Sequence, residues 1–345
     1  MDNHMENPHI GDSRADNDIR VSVLVTVYNL EKYVAQTLES VLEQETDFDF
    51  EILVGDDGSD DGTVDIVKDF ISRYPGRIVL FENPREKGKN YNRVERSAAN
   101  RLGLLANAKG KYCCFLDGDD YYIDNKKLQR QADILDDPSN ADCVICAHNL
   151  YLSYEDGRMI PLSSAKKERK ISLKEYWTMM FIQANAMMFR NIYADNIPGE
   201  RLAATFDDNN IVFWLMQHGK MYYIPEFMGA YRQVEGSSWS AIDLLKRSAS
   251  NMVGYSVETE VAPSLRKLSE IRHYPDLKYL SEHRTELNPA DLEPFYTTAK
   301  THDMREALDV YSMSGEWINA SLRRGWFGYN ATRIKRAVKK MLGLF

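Results

Sequence analysis

The sequence predicts an α/β fold: a mostly parallel sheet flanked by helices, followed by a helical C-terminal region. Three observations predict it. Nearly continuous β-branched apolar runs alternate with segments of helical apolar spacing through about the first 140 residues. Two of these runs end directly in turns rich in Asp and Gly, as strands do when they deliver side chains to one rim of an open sheet. Beyond about residue 240 the spacing is helical alone.

Val21-Ser22-Val23-Leu24-Val25-Thr26-Val27 reads as a strand covered on both faces. Apolar residues at Tyr33, Val34, Leu38, Val41 and Leu42 then predict a helix over Glu31–Leu42. Phe50–Val54 is a second strand, stopped by Gly55-Asp56-Asp57-Gly58-Ser59, and Asp61 opens a helix through Ile66, Val67, Phe70 and Ile71. A strand over Ile78–Phe81, a helix over Ser97–Ala108 and a strand over Tyr112–Leu116 continue the alternation. Such an order implies parallel strands joined by right-handed crossovers. After about Ala141 the pattern loosens. Asp142–Leu152 reads as a strand, Tyr151–Ile160 as a hairpin turning at Asp156-Gly157, and Ala165–Lys170 as a solvated loop. Ile211–Met216 reads as a helix capped by Gly219, and Met221–Ile224 and Met228–Arg232 as two short strands. The expected organisation is a polar tail over 1–20, an α/β domain over 21–240 and a helical region over 241–345.

With 43% apolar and 28% charged residues among 345, the composition is that of a soluble globular protein. A net charge of -9, with no basic stripe in the first two thirds, argues against general nucleic-acid binding. No run of about 18 apolar residues is present to span a membrane. Met1–Arg20 lacks the apolar core of a signal peptide, so the chain is expected in the cytoplasm. Cys113-Cys114 and the CxxC at Cys143–Cys146 lie in strand-like runs. Strict strand alternation sends each pair to opposite faces, so four buried thiols are expected rather than a zinc site.

The chemistry concentrates in acidic turns. Asp117-Gly118-Asp119-Asp120 follows a buried strand, and carboxylates this close repel one another unless a cation or donors absorb the charge. Mg²⁺ or Mn²⁺ is the usual solution where phosphates supply the remaining ligands; an acidic helix cap is the plainer alternative. Asp56-Asp57 ends another strand and should meet the same rim. Asp207-Asp208 precedes an apolar helix, where a helix N-terminal pair is the plainer reading. Arg85 and Lys87-Gly88-Lys89 read first as a solvated loop, with phosphate contact as the alternative.

Over about residues 20 to 240 the chain resembles the family 2 glycosyltransferases, inverting nucleotide-sugar-dependent enzymes of the GT-A fold. The resemblance rests on Val23–Asn29, Val54–Thr63, Ala98–Arg101 with Gly110-Lys111-Tyr112, the DxD-type Leu116–Asp120, and Asp207-Asp208 with Gly219-Lys220 and Tyr231-Arg232. It implies that Thr26 and Tyr28 line a base pocket, with the Tyr28 ring stacking on uracil, and that Asp57 accepts from the base. It also implies that Asp117 holds the ribose or sugar, and that Asp119 ligates Mn²⁺ or Mg²⁺ across the phosphates, with Asp120 competing for either task. Asp208 would be the general base, although most members carry Glu where Asp207 stands. The processive synthases' Gln-x-x-Arg-Trp is absent, which favours addition of one sugar. The resemblance further implies a UDP-sugar donor, a glycan or lipid-linked acceptor, and bacterial surface polysaccharide assembly. A sugar nucleotidyltransferase would want a Gly-rich loop where Tyr28-Asn29-Leu30-Glu31 stands. Intact Asp119 and Asp208 oppose a non-catalytic binding or scaffold protein.

From Trp317 to Phe345 there is no acidic residue, while seven Arg and Lys punctuate an apolar pattern. Such a basic amphipathic end predicts an interfacial helix on an anionic membrane surface, the inner face of the plasma membrane. Packing on the body of the protein or in a homodimer is the alternative.

Overall fold

The computed structural model describes residues 19–234 other than 87, 90, 92, 180 and 181, together with 243–283, 286, 328–338 and 341. Residues 1–18 of the expected tail over 1–20 lie outside them. Its last two residues belong instead to strand β1 (Ile19–Val27), which pairs in parallel with β2 (Asp49–Asp56). Helices α1 (Val34–Leu42), α2 (Thr63–Arg73) and α3 (Arg93–Asn107) alternate with β3 (Ile78–Glu82) and β4 (Tyr112–Asp117), as the apolar spacing predicts. Asp61 does not begin α2 but caps it from outside, its carboxylate accepting from Thr63 N at 2.9 Å.

One interior strand of the main sheet runs antiparallel to both its neighbours, within the mostly parallel arrangement expected. After β5 (Tyr121–Tyr122), α4 (Lys127–Asp136), β6 (Cys143–Tyr154), β7 (Met159–Pro161), β8 (Arg169–Ile171) and α5 (Leu173–Met179), the short β9 (Met187–Arg190) enters antiparallel between β4 and β6. It joins the two halves of a sheet ordered β3-β2-β1-β4-β9-β6-β10-β5. Helices α6 (Glu200–Ala204) and α7 (Asp208–Met216) lead into β10 (Lys220–Gln233). The two short strands expected there are one, parallel to β6, with register shifts between Tyr223 and Gly229. Pro225 lies in that bulge, where the missing N–H costs no ladder bond.

Apolar side chains leave the sheet alternately into two cores. Val21, Val23, Val25 and Val27 enter one while Leu24 enters the other. The alternation fails on β6, where the register slips between Cys143 and Ile145. Val144 and Ile145 both face one core, so Cys143 and Cys146 share the other, contrary to strict alternation. All four thiols are buried and free. Gly219 is not a left-handed cap either: it is absent from the positive-φ glycines, and a Cβ there would stand 3.0 Å from the Asp142 carbonyl oxygen. Arg169 and Lys170 leave the expected solvated loop to form β8 on β10. The hairpin at Asp156-Gly157 forms as β6–β7.

Helices α8 (Leu244–Val261), α9 (Arg266–Arg272) and α10 (Tyr274–His283) pack on one another, with α9 against α5 and α8 against α6. Trp177 Nε1 donates to Ser269 Oγ at 3.1 Å, and Arg272 Nη2 reaches Asn209 Oδ1 at 2.5 Å. Among the described residues no helix is long and apolar enough to cross a membrane.

Gly110 fixes the entry to β4. A Cβ there would lie 2.5 Å from Ser22 N and 2.8 Å from Val21 C, backbone atoms of β1 that cannot move aside. Its N–H also donates to Ser22 Oγ, which donates in turn to the buried Glu51. Gly110→Ala is expected to destabilise the fold by about 3 kcal/mol, measured by urea unfolding.

Candidate active site

Thr26 stands opposite Asp117 in the β1–β4 register, so both strands end on the same rim. Thr26 Oγ1 donates to Asp117 Oδ1 at 2.7 Å, and Gly118 N donates to the Thr26 carbonyl at 2.8 Å. The turn that follows requires glycine, because a Cβ at Gly118 would stand 2.5 Å from Val27 Cγ1. From α1, Thr37 Oγ1 lies 2.8 Å from the Gly118 carbonyl oxygen and 2.7 Å from that of Asp120. Three carboxylates leave this short turn, and each meets a different environment.

Asp120 is buried, with a donor on each oxygen. Its Oδ1 accepts from Arg232 N at 2.8 Å and its Oδ2 from Asn185 Nδ2 at 2.6 Å. Burial first, and the neighbouring carboxylates second, raise its pKa well above the ordinary range. The Arg232 guanidinium continues the tie, donating to the Asp119 carbonyl and to Gln36 while lying over the Tyr33 and Tyr121 rings. Asp120 therefore fastens β10 and the Ala184–Ala186 turn to the end of β4.

Asp119 is half-buried, and burial followed by the Asp117 charge pushes its pKa up to about 6. Among the described residues no side chain donates to its carboxylate, which has the chemistry to accept a hard cation. Asp120 already holds an N–H donor on each oxygen. No group of three His, Cys, Asp or Glu among the described residues could cage a metal alone, so a cation here would draw its other ligands from elsewhere.

Asp117 is linked to Asp208 through a residue to which the sequence reading gave no role. Arg101 Nη2 lies 3.2 Å from Asp117 Oδ1 and 3.2 Å from Asp208 Oδ1. The guanidinium is buried, and the two aspartates keep it firmly charged. Asp208 opens α7, and its Oδ2 accepts from Ala184 N at 3.4 Å. Burial pushes its pKa up to about 6 against the pull of Arg101. Asp207, by contrast, is exposed and caps α7, its Oδ1 accepting from Asn210 N at 2.9 Å. The signal for Arg101 was present in the sequence. It falls three residues after Ala98 and three before Leu104, on the apolar face of α3, where a cation demands a buried carboxylate.

Tyr28, Asp57, Arg85 and Arg96 form a second cluster at the ends of β1 and β2. Asp56 is buried in its own turn, accepting from Gly58 N, Ser59 N and Ser59 Oγ, which leaves Asp57 on the rim. Asp57 Oδ2 pairs with Arg85 Nη2 at 2.6 Å and Oδ1 with Arg96 Nε at 2.5 Å. The Arg85 guanidinium also covers the Tyr28 ring, 3.8 Å from its centroid. Arg85 is thus no solvated loop residue. Lys87 lies outside the described residues, and Lys89 pairs with Glu86 at the surface. Asn29, at φ 53°, donates from Nδ2 to Asp60 Oδ1 and accepts at Oδ1 from Asp60 N, and so staples the two loops that carry Tyr28 and Asp57.

Residues 22–196, just over half of the chain, match the family model described as Glycosyl transferase family 2. The uncharacterized protein Rv1520 of Mycobacterium tuberculosis is 28% identical over 227 residues, covering 64% of this chain and 60% of that protein. The uncharacterized glycosyltransferase alr2836 of Nostoc is 26% identical over 219 residues, covering 63% of this chain and 62% of its own. The chain spans only about three fifths of the curated relatives that it matches first, 60% of their length. Among solved structures, S. aureus TarS 1–349 in complex with UDP-GlcNAc superposes with a TM-score of 0.57 at 17% identity, over 91% of this chain and 90% of that one. The mannosyltransferase PcManGT from Pyrobaculum calidifontis, in complex with GDP-Man and Mn2+, gives a TM-score of 0.50 at 15% identity, over 97% and 91%. These likenesses establish the fold, the GT-A arrangement of a mostly parallel sheet with flanking helices.

The two neighbouring carboxylates of the acidic turn should separate on substitution. Asp120→Ala strands the Arg232 N–H and the Asn185 amide in the interior and is expected to cost about 3 kcal/mol. Asp119→Ala should leave the urea-unfolding midpoint nearly unchanged, since no side chain among the described residues depends on that carboxylate.

Proposed function

The chain belongs to glycosyl transferase family 2, and from that premise we propose that it is a glycosyltransferase that transfers one sugar, with inversion, from a UDP-sugar to a glycan or lipid-linked acceptor in polysaccharide assembly. The observation that carries the reading is the Asp117–Arg101–Asp208 bridge, with both Arg101 contacts at 3.2 Å. It supports a donor-side carboxylate and an acceptor-side carboxylate facing one reacting centre. Asp208 lies beyond the matched residues 22–196, so its role rests on this geometry and on the motif order.

In the proposed step Asp208 takes the proton of an acceptor hydroxyl. The oxygen forms a bond to the anomeric carbon from one face, while the bond to the departing nucleoside diphosphate breaks on the other, and the configuration inverts. A base with a pKa near 6 stays ionised at neutral pH yet is more basic than an ordinary carboxylate. Arg101 holds Asp208 and Asp117 in fixed relation, which limits the acceptor to one approach. Asp117 accepts from donor sugar or ribose hydroxyls with the lone pairs that Thr26 and Arg101 leave open.

At the other end Tyr28 and Arg85 offer a flat cationic stack suited to a pyrimidine, and Asp57 has lone pairs left to accept from a base N–H. Asp119 would hold Mn²⁺ or Mg²⁺, which when bound neutralises charge gathering on the departing diphosphate. Asp207, occupied as a helix cap, supports α7 rather than the transfer itself.

The reading is tested with a panel of nucleotide sugars and Mn²⁺, scored for thermal stabilisation and for donor turnover, with the product anomer read by NMR. A UDP-sugar is expected to stabilise the protein and to be turned over with inversion; a panel with neither effect overturns the proposal. Asp208→Asn should lower kcat by about 10²–10⁴-fold while leaving donor binding intact. Loss of donor binding would move Asp208 to the donor side. Because the base works deprotonated, kcat/KM should fall about tenfold per pH unit below about 6 and level off above it.

A further inference from the structure

The helix over 328–338 carries its apolar face outward. Its packed side is fixed by three contacts. A Cβ on Gly328 would stand 2.6 Å from two Ile271 carbons, the Tyr329 ring lies 5.0 Å from that of Tyr274, and Thr332 is buried. A 100° step per residue puts Ile334 and Val338 about half a turn away from Thr332, with Met341 beside them. All three are exposed, at 67%, 46% and 80%. An amphipathic helix held by the protein body would do the reverse, burying Ile334 and exposing Thr332.

Charge selects the occupant of this face. Arg333 and Lys335 are exposed and fall on the two flanks of the Ile334–Val338–Met341 stripe. The sequence from Trp317 to Phe345 has seven Arg and Lys and no Asp or Glu, in a chain whose net charge is -9. A second copy of the chain would bring identical cationic flanks against each other across a two-fold axis, at an electrostatic cost. An anionic lipid surface meets both needs at once, taking the apolar stripe into the acyl boundary and the flanking cations at headgroup level.

We propose that this helix lies on an anionic phospholipid surface through Ile334, Val338 and Met341, with Arg333 and Lys335 beside the headgroups. The proposal uses none of the rim aspartates, so it stands or falls independently of the donor and base assignments. It would bring a transferase to acceptors carried on lipid.

The test is cosedimentation of the full chain with extruded vesicles of phosphatidylcholine, with and without phosphatidylglycerol. Binding is expected only to the phosphatidylglycerol vesicles and should weaken in high salt. The Ile334→Asp/Met341→Asp double variant should bind at least about tenfold more weakly. Its thermal unfolding should be unchanged, because both side chains already face solvent. Equal binding of the variant, or equal binding to neutral vesicles, overturns the proposal. So does a lipid-free dimer, seen by sedimentation velocity, that the double variant dissolves.

Discussion

The site depends on how five carboxylates coexist at one rim of a buried sheet. Burial disfavours each charge, and each carboxylate disfavours the next. Arg101 is the pivot: one buried guanidinium, 3.2 Å from both Asp117 and Asp208, supplies positive charge where β4 and α7 converge. Without it two elements far apart in sequence would carry like charge into one poorly solvated corner. With it, their separation becomes a fixed dimension of the site.

The remaining acids meet different surroundings. Asp120 is satisfied by N–H donors from β10 and from the Ala184–Ala186 turn, so its charge is used to build the rim. Asp119 is left beside Asp117 with a raised pKa, a condition that favours cation binding. Asp57 is balanced by Arg85 and Arg96, which also places a cation over Tyr28. The helical region adds to the same construction, since Arg272 holds Asn209, the neighbour of Asp208.

Much of this was legible in the sequence because it is local. Alternating apolar runs give β1 to β4 and their helices within a few residues, as period and β-branching require. Gly118 and the acids around it announce a tight turn at a strand end. Less was legible after Ala141, where β9 is four residues long and lies antiparallel between strands distant in sequence. Nothing in Met187–Arg190 itself encodes that partnership. The slip at Val144 likewise put Cys143 and Cys146 on one face, because a bulge depends on its neighbouring strand as well as its own residues.

The sequence by itself determined the class of fold, the family, and the set of acidic residues that gather at the rim. Periodicity and turn chemistry act over short stretches of chain and survive in a one-dimensional reading. Only the tertiary structure decided what each carboxylate faces: a guanidinium for Asp117 and Asp208, N–H donors for Asp120, no side-chain donor among the described residues for Asp119, and a helix cap for Asp207. It also decided that Ile334 points outward while Thr332 points in. Pairing, burial and helix phase arise from residues far apart in sequence, and an Asp has no assigned role until its neighbours in space are known.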